Sequence, residues 1–133
     1  MSAPLWMQAV GAAGGGAIGS LLRFCCSHVL AAQGWSHWPF STLLVNVSGC
    51  AAIGVCARYM QAAADGGHGG MFRAFVMYGV LGGLTTFSAL GIEVYGPLQS
   101  GRPWHALGIL AANLVLGLGA VAVGWSVGRM FFA

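Results

Sequence analysis

The chain reads as an all-α integral membrane protein with four transmembrane helices, the third of them broken near its middle. Three observations predict this. Of its 133 residues, 58% are hydrophobic and 5% charged, against roughly 25% charged in soluble domains. Two acidic and five basic residues cannot cover a soluble surface. Four apolar segments, at 6–30, 40–61, 72–96 and 104–131, each supply the about 20 residues that a bilayer-spanning helix needs. Finally, Gly79-Val80-Leu81-Gly82-Gly83-Leu84-Thr85-Thr86-Phe87-Ser88 sets two adjacent glycines and three hydroxyl residues inside the third segment. Residues 1–133 form a single domain with no room between spans for an extramembrane catalytic unit.

The first span carries Gly11, Gly15 and Gly19 four residues apart, flanked by Ala12, Gly16 and Ser20. Small residues at this spacing let membrane helices approach closely and gain packing contacts without a hydrophobic drive. No basic region precedes the apolar run and no cleavage pattern follows it, so this segment is expected to stay as a helix. The Gln33–Pro39 cluster ends it, Asp65–Gly70 separates the second and third spans, and Pro97–Pro103 precedes the fourth. Glycine, proline and polar residues in such clusters mark turns. The fourth span repeats the small-residue pattern with Gly117, Gly119, Gly124 and Gly128, and adds one polar residue, Asn113.

In hydrocarbon, a backbone group freed from its helix must find a partner within the protein. Broken helices are therefore confined to protein-lined or aqueous surroundings, where they often form ion sites. Around the expected break stand Thr85, Thr86 and Ser88, whose hydroxyls either bond back to the preceding turn or face a pore. Asn46 lies mid-way along the second span. Its amide serves either an interhelical hydrogen bond or as a donor to a passing anion, since an amide offers two N–H groups and an acceptor. Phe87 reads first as a packing residue; its alternative is to turn the positive edge of its ring toward an anion. Arg23 and Glu93 are the charges deep enough to need a reason. A mid-span charge costs a few kcal/mol or more unless it snorkels or pairs. Arg23, late in its span, is expected to snorkel, and Glu93 to sit in a polar vestibule or cap a helix.

Composition also excludes several functions. Cys25, Cys26, Cys50 and Cys56 fall within spans without Cys-x-x-Cys spacing, so they read as small packing residues and not as a zinc or redox site. His28, His37, His68 and His105 lie near span ends and make no ligand cluster. No nucleophile, base and orienting group are arranged for catalysis, so the chain is not expected to be an enzyme. A net charge of +3, scattered, does not suit nucleic acid. With four spans, Arg58, Arg73 and Arg129 fall on one side and Arg102, with Arg23 near it, on the other. That bias is weak enough for insertion both ways, which makes antiparallel pairing of two copies an expectation.

Together these pieces resemble the Fluc (CrcB-type) fluoride channel family. Gly15-Gly16-Ala17-Ile18-Gly19-Ser20-Leu21-Leu22-Arg23-Phe24 is similar to the family's first-helix motif. Trp38-Pro39-Phe40-Ser41-Thr42-Leu43-Leu44-Val45-Asn46-Val47-Ser48-Gly49 resembles the second, and Gly82-Gly83-Leu84-Thr85-Thr86-Phe87-Ser88, with Glu93 downstream, the third. The resemblance implies a dual-topology, antiparallel homodimer with two pores and a multi-pass place in the cell's inner (plasma) membrane. It implies a sodium ion at the dimer centre, held by the backbone carbonyls of Gly82 and Thr85 from both copies. It also implies Asn46 as the pore amide, Phe87 as the first ring of an aromatic pair, and Thr42, Thr86, Ser88 and Glu93 on or near the fluoride path. Arg23 takes a structural or vestibular role.

Three positions depart from the family pattern. Leu90 stands where the second ring is expected, Ile109 where a fourth-helix tyrosine supports the rings, and Ser41 where a glycine precedes Thr42. Asn113 is a further polar residue that could take over hydrogen bonding there. Two other functions compete with a channel. A small multidrug-type cation exporter would need a carboxylate in the first span, and no acidic residue precedes Asp65. A structural or inactive membrane subunit would leave Asn46 and the Thr-Thr-Phe-Ser cluster without a purpose.

Overall fold

The computed structural model describes residues 3–35, 38–63 and 69–132, and all its regular structure is helical. Helix α1 is Leu5–Ala32 and α2 is Phe40–Ala62. The third span, Gly69–Gln99, is assembled from α3 (Gly69–Phe72), a π-helical run Arg73–Leu81, the single turn α4 (Gly82–Leu84) and α5 (Phe87–Gln99). Helix α6 is Pro103–Phe131. Four spans result, each long and apolar enough to cross a membrane. Asp65, His37 and His68 lie outside the described residues.

Two of the turns follow from glycine. Gly34, at φ +80°, ends α1, and Gly101, at φ +68°, ends α5. At each end the glycine N–H returns to a carbonyl three residues back (Gly34 to Ala31 at 3.0 Å, Gly101 to Leu98 at 3.1 Å). The next N–H reaches five back (Trp35 to Leu30 at 3.1 Å, Arg102 to Pro97 at 2.8 Å). This pair of bonds satisfies the last helical carbonyls, and the left-handed residue it needs is least costly as glycine. Pro103 then opens α6, where its missing N–H costs nothing.

The spans pack as two close pairs. In the first, α1 lies against the N-terminal half of the third span. A Cβ on Gly19 would lie 2.8 Å from Leu84 N, one on Gly83 2.6 Å from Gly16 O, and one on Gly79 2.9 Å from Ala12 O. In the second, α2 lies against α6, where a Cβ on Gly54 would lie 2.8 Å from Trp125 N and one on Gly124 2.9 Å from Ala51 C. Backbone touches backbone along both pairs, which is the purpose of the small-residue spacing. Helix α5 joins α6, and the buried apolar core of Val45, Leu90, Ala106 and Ile109 gathers on α2, α5 and α6.

The third span breaks at Thr85 (φ −81°, ψ 152°) and Thr86 (φ −149°, ψ 123°), both extended. The glycine pair, expected to make the break, instead remains helical in α4. Gly82 has φ −65° and ψ −36°, and Gly83 is used for its contact with α1. The nine-residue π-helical run upstream is a second departure from the expected regular helix. Such widened turns are rare and often stand near functional sites.

Candidate functional site

The break is held by one side chain from another span. Asn46 Oδ1 accepts from Thr86 N at 2.9 Å, and Asn46 Nδ2 donates to Thr86 O at 3.2 Å. An amide side chain thus pairs with both backbone groups of one residue, as a neighbouring β-strand would. Thr86 N–H would otherwise point back to Gly82 O in a continuous helix, so this pairing leaves the Gly82 carbonyl outside the helical ladder. The second hydrogen on Asn46 Nδ2 goes to Asn113 Oδ1 at 2.9 Å, and Asn113 Nδ2 donates to Ile109 O at 3.1 Å. Asn46, expected as a donor either between helices or to an anion, here makes three bonds within the chain.

Each threonine at the break has its own task. Thr85 Oγ1 bonds back to Leu81 O at 2.9 Å, the helix-internal alternative for a membrane hydroxyl. Its methyl group faces Gly49 of α2. Thr86 caps α5 by accepting from Ala89 N at 3.2 Å, and its hydroxyl lies 3.2 Å from Ser88 Oγ. Capping of this kind is worth about 1 kcal/mol. The first N–H groups of α5 therefore emerge at the break, at the electropositive end of a 13-residue helix.

Three clefts meet in series around these residues. The first, about 340 Å³, lies among Trp35, Trp38, Pro39, His105, Ile109 and Glu93. The second, about 510 Å³, is bordered by Ser20, Arg23, Ser27, Thr42, Thr86 and Glu93. The third, about 340 Å³, holds Asn46, Gly82, Thr85, Thr86, Phe87 and Asn113. Glu93 borders the first two and Thr86 the last two, so a run of polar groups leads from the end of the spans to the break. Between them Thr42 Oγ1 donates to Glu93 Oε1 at 2.6 Å, while Glu93 Oε2 is buried with no hydrogen-bond partner. An acceptor left this way costs about 1–3 kcal/mol or more, a departure that asks for a functional reason.

The structure thus brings together Arg23, Thr42, Thr86 and Glu93 around one cleft and Asn46, Gly82, Thr85, Phe87, Leu90 and Asn113 around another. Ser88 stands beside Thr86 on the exposed side. Phe87 is 80% exposed, its ring on the open outer side of the chain, whereas Leu90 and Ile109 are 4% and 1% exposed and belong to the core. Ser20 and Ser27 were not singled out as site residues by sequence. With Arg23 they fall at i, i+3 and i+7 of α1, one helical face, and that polar stripe in an apolar helix was the available signal.

The match to known proteins covers most of this framework. The model of a family described as CrcB-like protein, Camphor Resistance (CrcB), matches residues 10–125. The chain belongs to the CrcB family. Among its relatives is a protein of Desulfotalea psychrophila named fluoride-specific ion channel FluC, 38% identical over 126 residues, covering 94% of each chain. One of the same name from Paracoccus denitrificans is 39% identical over 120 residues, or 90% of this chain and 92% of that protein. Another, from Thermus thermophilus, is 39% identical over 114 residues, or 86% and 89%. All three motifs described above lie inside the CrcB match: the α1 glycines, the Asn46 segment and the broken third span.

Proposed function

We propose that this chain is a passive, fluoride-selective channel that lets cytoplasmic fluoride leave the cell. The single observation that carries the reading is the polar run from Glu93 through Thr42 and Thr86 to Asn46, ending where the third span breaks. Membership of a family whose relatives bear the fluoride-channel name supports it. Fluoride is small and strongly hydrated, so a path must replace water with several close donors as the ion is stripped. Hydroxyls, amide N–H groups and the edge of an aromatic ring can do so without the deep trap a fixed cation would make. Conduction requires binding strong enough for entry and weak enough for exit.

Within this reading Arg23 raises the local anion concentration at the vestibule, and Thr42, Thr86, Ser88 and Asn46 supply the polar route. Glu93, hydrogen-bonded to Thr42, shapes its narrow part. The Phe87 ring, exposed on the single chain, completes the wall once a second copy packs against it. That copy is antiparallel, consistent with the near balance of arginines between the two sides. It would also complete a sodium site. Gly82 and Thr85 border the same open cleft, and the pairing of Thr86 N–H with Asn46 frees the Gly82 carbonyl of its helical donor, which supports neutral backbone oxygens as ligands suited to a hard cation. A bound sodium ion would pin the two breaks together by charge–dipole attraction. Membership of a family whose relatives are named as ion channels supports a transporter and not an enzyme. In acid surroundings fluoride enters cells as neutral HF and is trapped as the anion. A negative potential across the plasma membrane then drives it out with about 2.3 kcal/mol per charge per 100 mV.

The test is efflux from liposomes containing the purified protein, read with fluoride- and chloride-sensitive electrodes while a potassium gradient and ionophore set the voltage. The reading predicts rapid fluoride release with chloride retained. Folded protein that releases neither ion, or both alike, would reject it.

A further inference from the structure

Every polar atom in the chain of contacts behind the break has a definite direction, and that direction begins on α6. The Ile109 carbonyl can only accept, so Asn113 must present Nδ2 to it and its Oδ1 outward, toward α2. Oδ1 can only accept, so Asn46 must present Nδ2 to it. At the far end, Thr86 N–H needs an oxygen and Thr86 C=O needs an N–H, and Asn46 meets both only in this same orientation. Turning either amide over would set oxygen against oxygen or N–H against N–H. The two ends agree, and a fixed backbone carbonyl on α6 thereby sets the amide that holds an extended residue in the third span.

We infer that Asn113 is a positioning residue for the conducting break: it fixes the amide orientation of Asn46, and through it the extended conformation of Thr86. Asn113 is itself buried, at 6% exposure, and it borders the cleft of the break. Its contact with Asn46 spans 67 positions of sequence and joins α6 to α2, while Asn46 joins α2 to the break 40 positions on. Both N–H hydrogens of Asn46 are committed in this arrangement, one to Thr86 O and one to Asn113 Oδ1. For Asn46 to donate to a passing anion, one of these must be released. Releasing the Asn113 bond leaves the Thr86 clamp whole, whereas releasing the Thr86 bond loosens the break. Asn113 Oδ1 is therefore the acceptor that can release the Asn46 N–H to the ion and accept it again.

The inference rests on the reading of the break as the ion's route, but its test reads hydrogen exchange and not flux, so the two can fail separately. The protein is reconstituted into lipid nanodiscs as it assembles there, and exchange is followed by NMR at the Thr86 amide and the Asn46 side-chain amide. In the unmodified protein the Thr86 amide is expected to exchange far more slowly than a free amide; rapid exchange there would overturn the inference without any variant. In Asn113→Leu, similar in volume but unable to accept or donate, exchange at Thr86 is expected to rise roughly tenfold or more, as in a local opening. The amides of the α2–α6 contact near Ala51 and Gly124 should not change. Unaltered protection at Thr86 in folded Asn113→Leu would overturn the proposal. In Asn113→Asp, which keeps an acceptor facing Asn46, Thr86 protection should stay within about threefold of the original, whereas fluoride flux falls because a carboxyl group borders the anion's path. Loss of protection equal to that in the leucine variant would reduce Asn113 to a packing residue.

Discussion

The glycine seams and the polar break answer the same membrane constraint in opposite ways. Along α1 with the third span, and α2 with α6, glycine removes side chains until backbones touch, and the backbone hydrogen bonds stay inside their own helices. Gly19, Gly54, Gly83 and Gly124 have no room for a methyl group. At Thr86 the helix gives up its own bonds, and a side chain forty residues away supplies the replacements. The seams make a rigid frame with nothing to offer an ion. The break, held from outside its own helix, can keep the Thr86 N–H and C=O at membrane depth because both are partnered by Asn46. Rigid frame and permissive centre are thus built from different residue types, and substitutions should separate them.

The largest effect is expected in the seams. Gly124→Ala would place a methyl carbon 2.9 Å from Ala51 C and nearer still to its carbonyl oxygen, so α2 and α6 must part. Overpacking of this kind costs about 1–3 kcal/mol or more, and the measurement is thermal unfolding in detergent, where a large fall in midpoint or outright loss of the folded peak is expected. Second comes Asn46→Leu, which orphans Thr86 N–H, Thr86 C=O and Asn113 Oδ1 together, at about 1–3 kcal/mol for each buried group left unpaired. Its fluoride flux should fall by roughly a hundredfold or more, the scale of a lost conducting geometry worth about 2.7 kcal/mol. That loss should exceed what partial unfolding explains, as judged by flux per folded protein.

A smaller effect belongs to Thr42→Val. It removes the one hydrogen bond to Glu93 Oε1 and leaves a buried carboxyl group with neither oxygen bonded. Flux is expected to fall about tenfold with stability lowered by about 1–3 kcal/mol. The smallest is Gly14→Ala. Gly14 lies on the exposed side of α1 with nothing near its would-be Cβ, so flux should hold and stability rise by up to about 1 kcal/mol from helix propensity. If Gly14→Ala proved as damaging as Gly124→Ala, the distinction between seam and open glycine would collapse.

Legibility in the sequence follows the same division. The four spans and the close helix pairs were readable because apolar length and four-residue glycine spacing are local signals. The existence of a break was readable too, from polar residues crowded into an apolar segment. Its position was not. Gly82 and Gly83 have poor helix propensity, which points to them as the break, yet in a membrane helix glycine also serves as a contact surface, as Gly83 does against α1, and here both stay helical. What extends Thr86 is Asn46, and a partner forty residues distant leaves no mark on the residues it acts upon. The π-helical run Arg73–Leu81 was hidden for another reason: an apolar stretch offers no periodic contrast in which a change of pitch would show. Asn46 itself stood out as an amide in a hydrophobic run, but its three internal bonds depend on Asn113 and Thr86 arriving from other spans. The departures at Leu90 and Ile109 gain a physical sense only in the folded chain, where both fill the core behind the break.

The most direct measurement of the central claim compares unmodified protein with Asn46→Leu and Gly14→Ala in the same liposome assay, with each sample's folded, assembled fraction determined beforehand. The account predicts selective fluoride release by the unmodified protein and by Gly14→Ala, and near-background release by folded Asn46→Leu. Equal fluoride release from all three would contradict it, because the ion would then be passing somewhere other than the break that Asn46 holds.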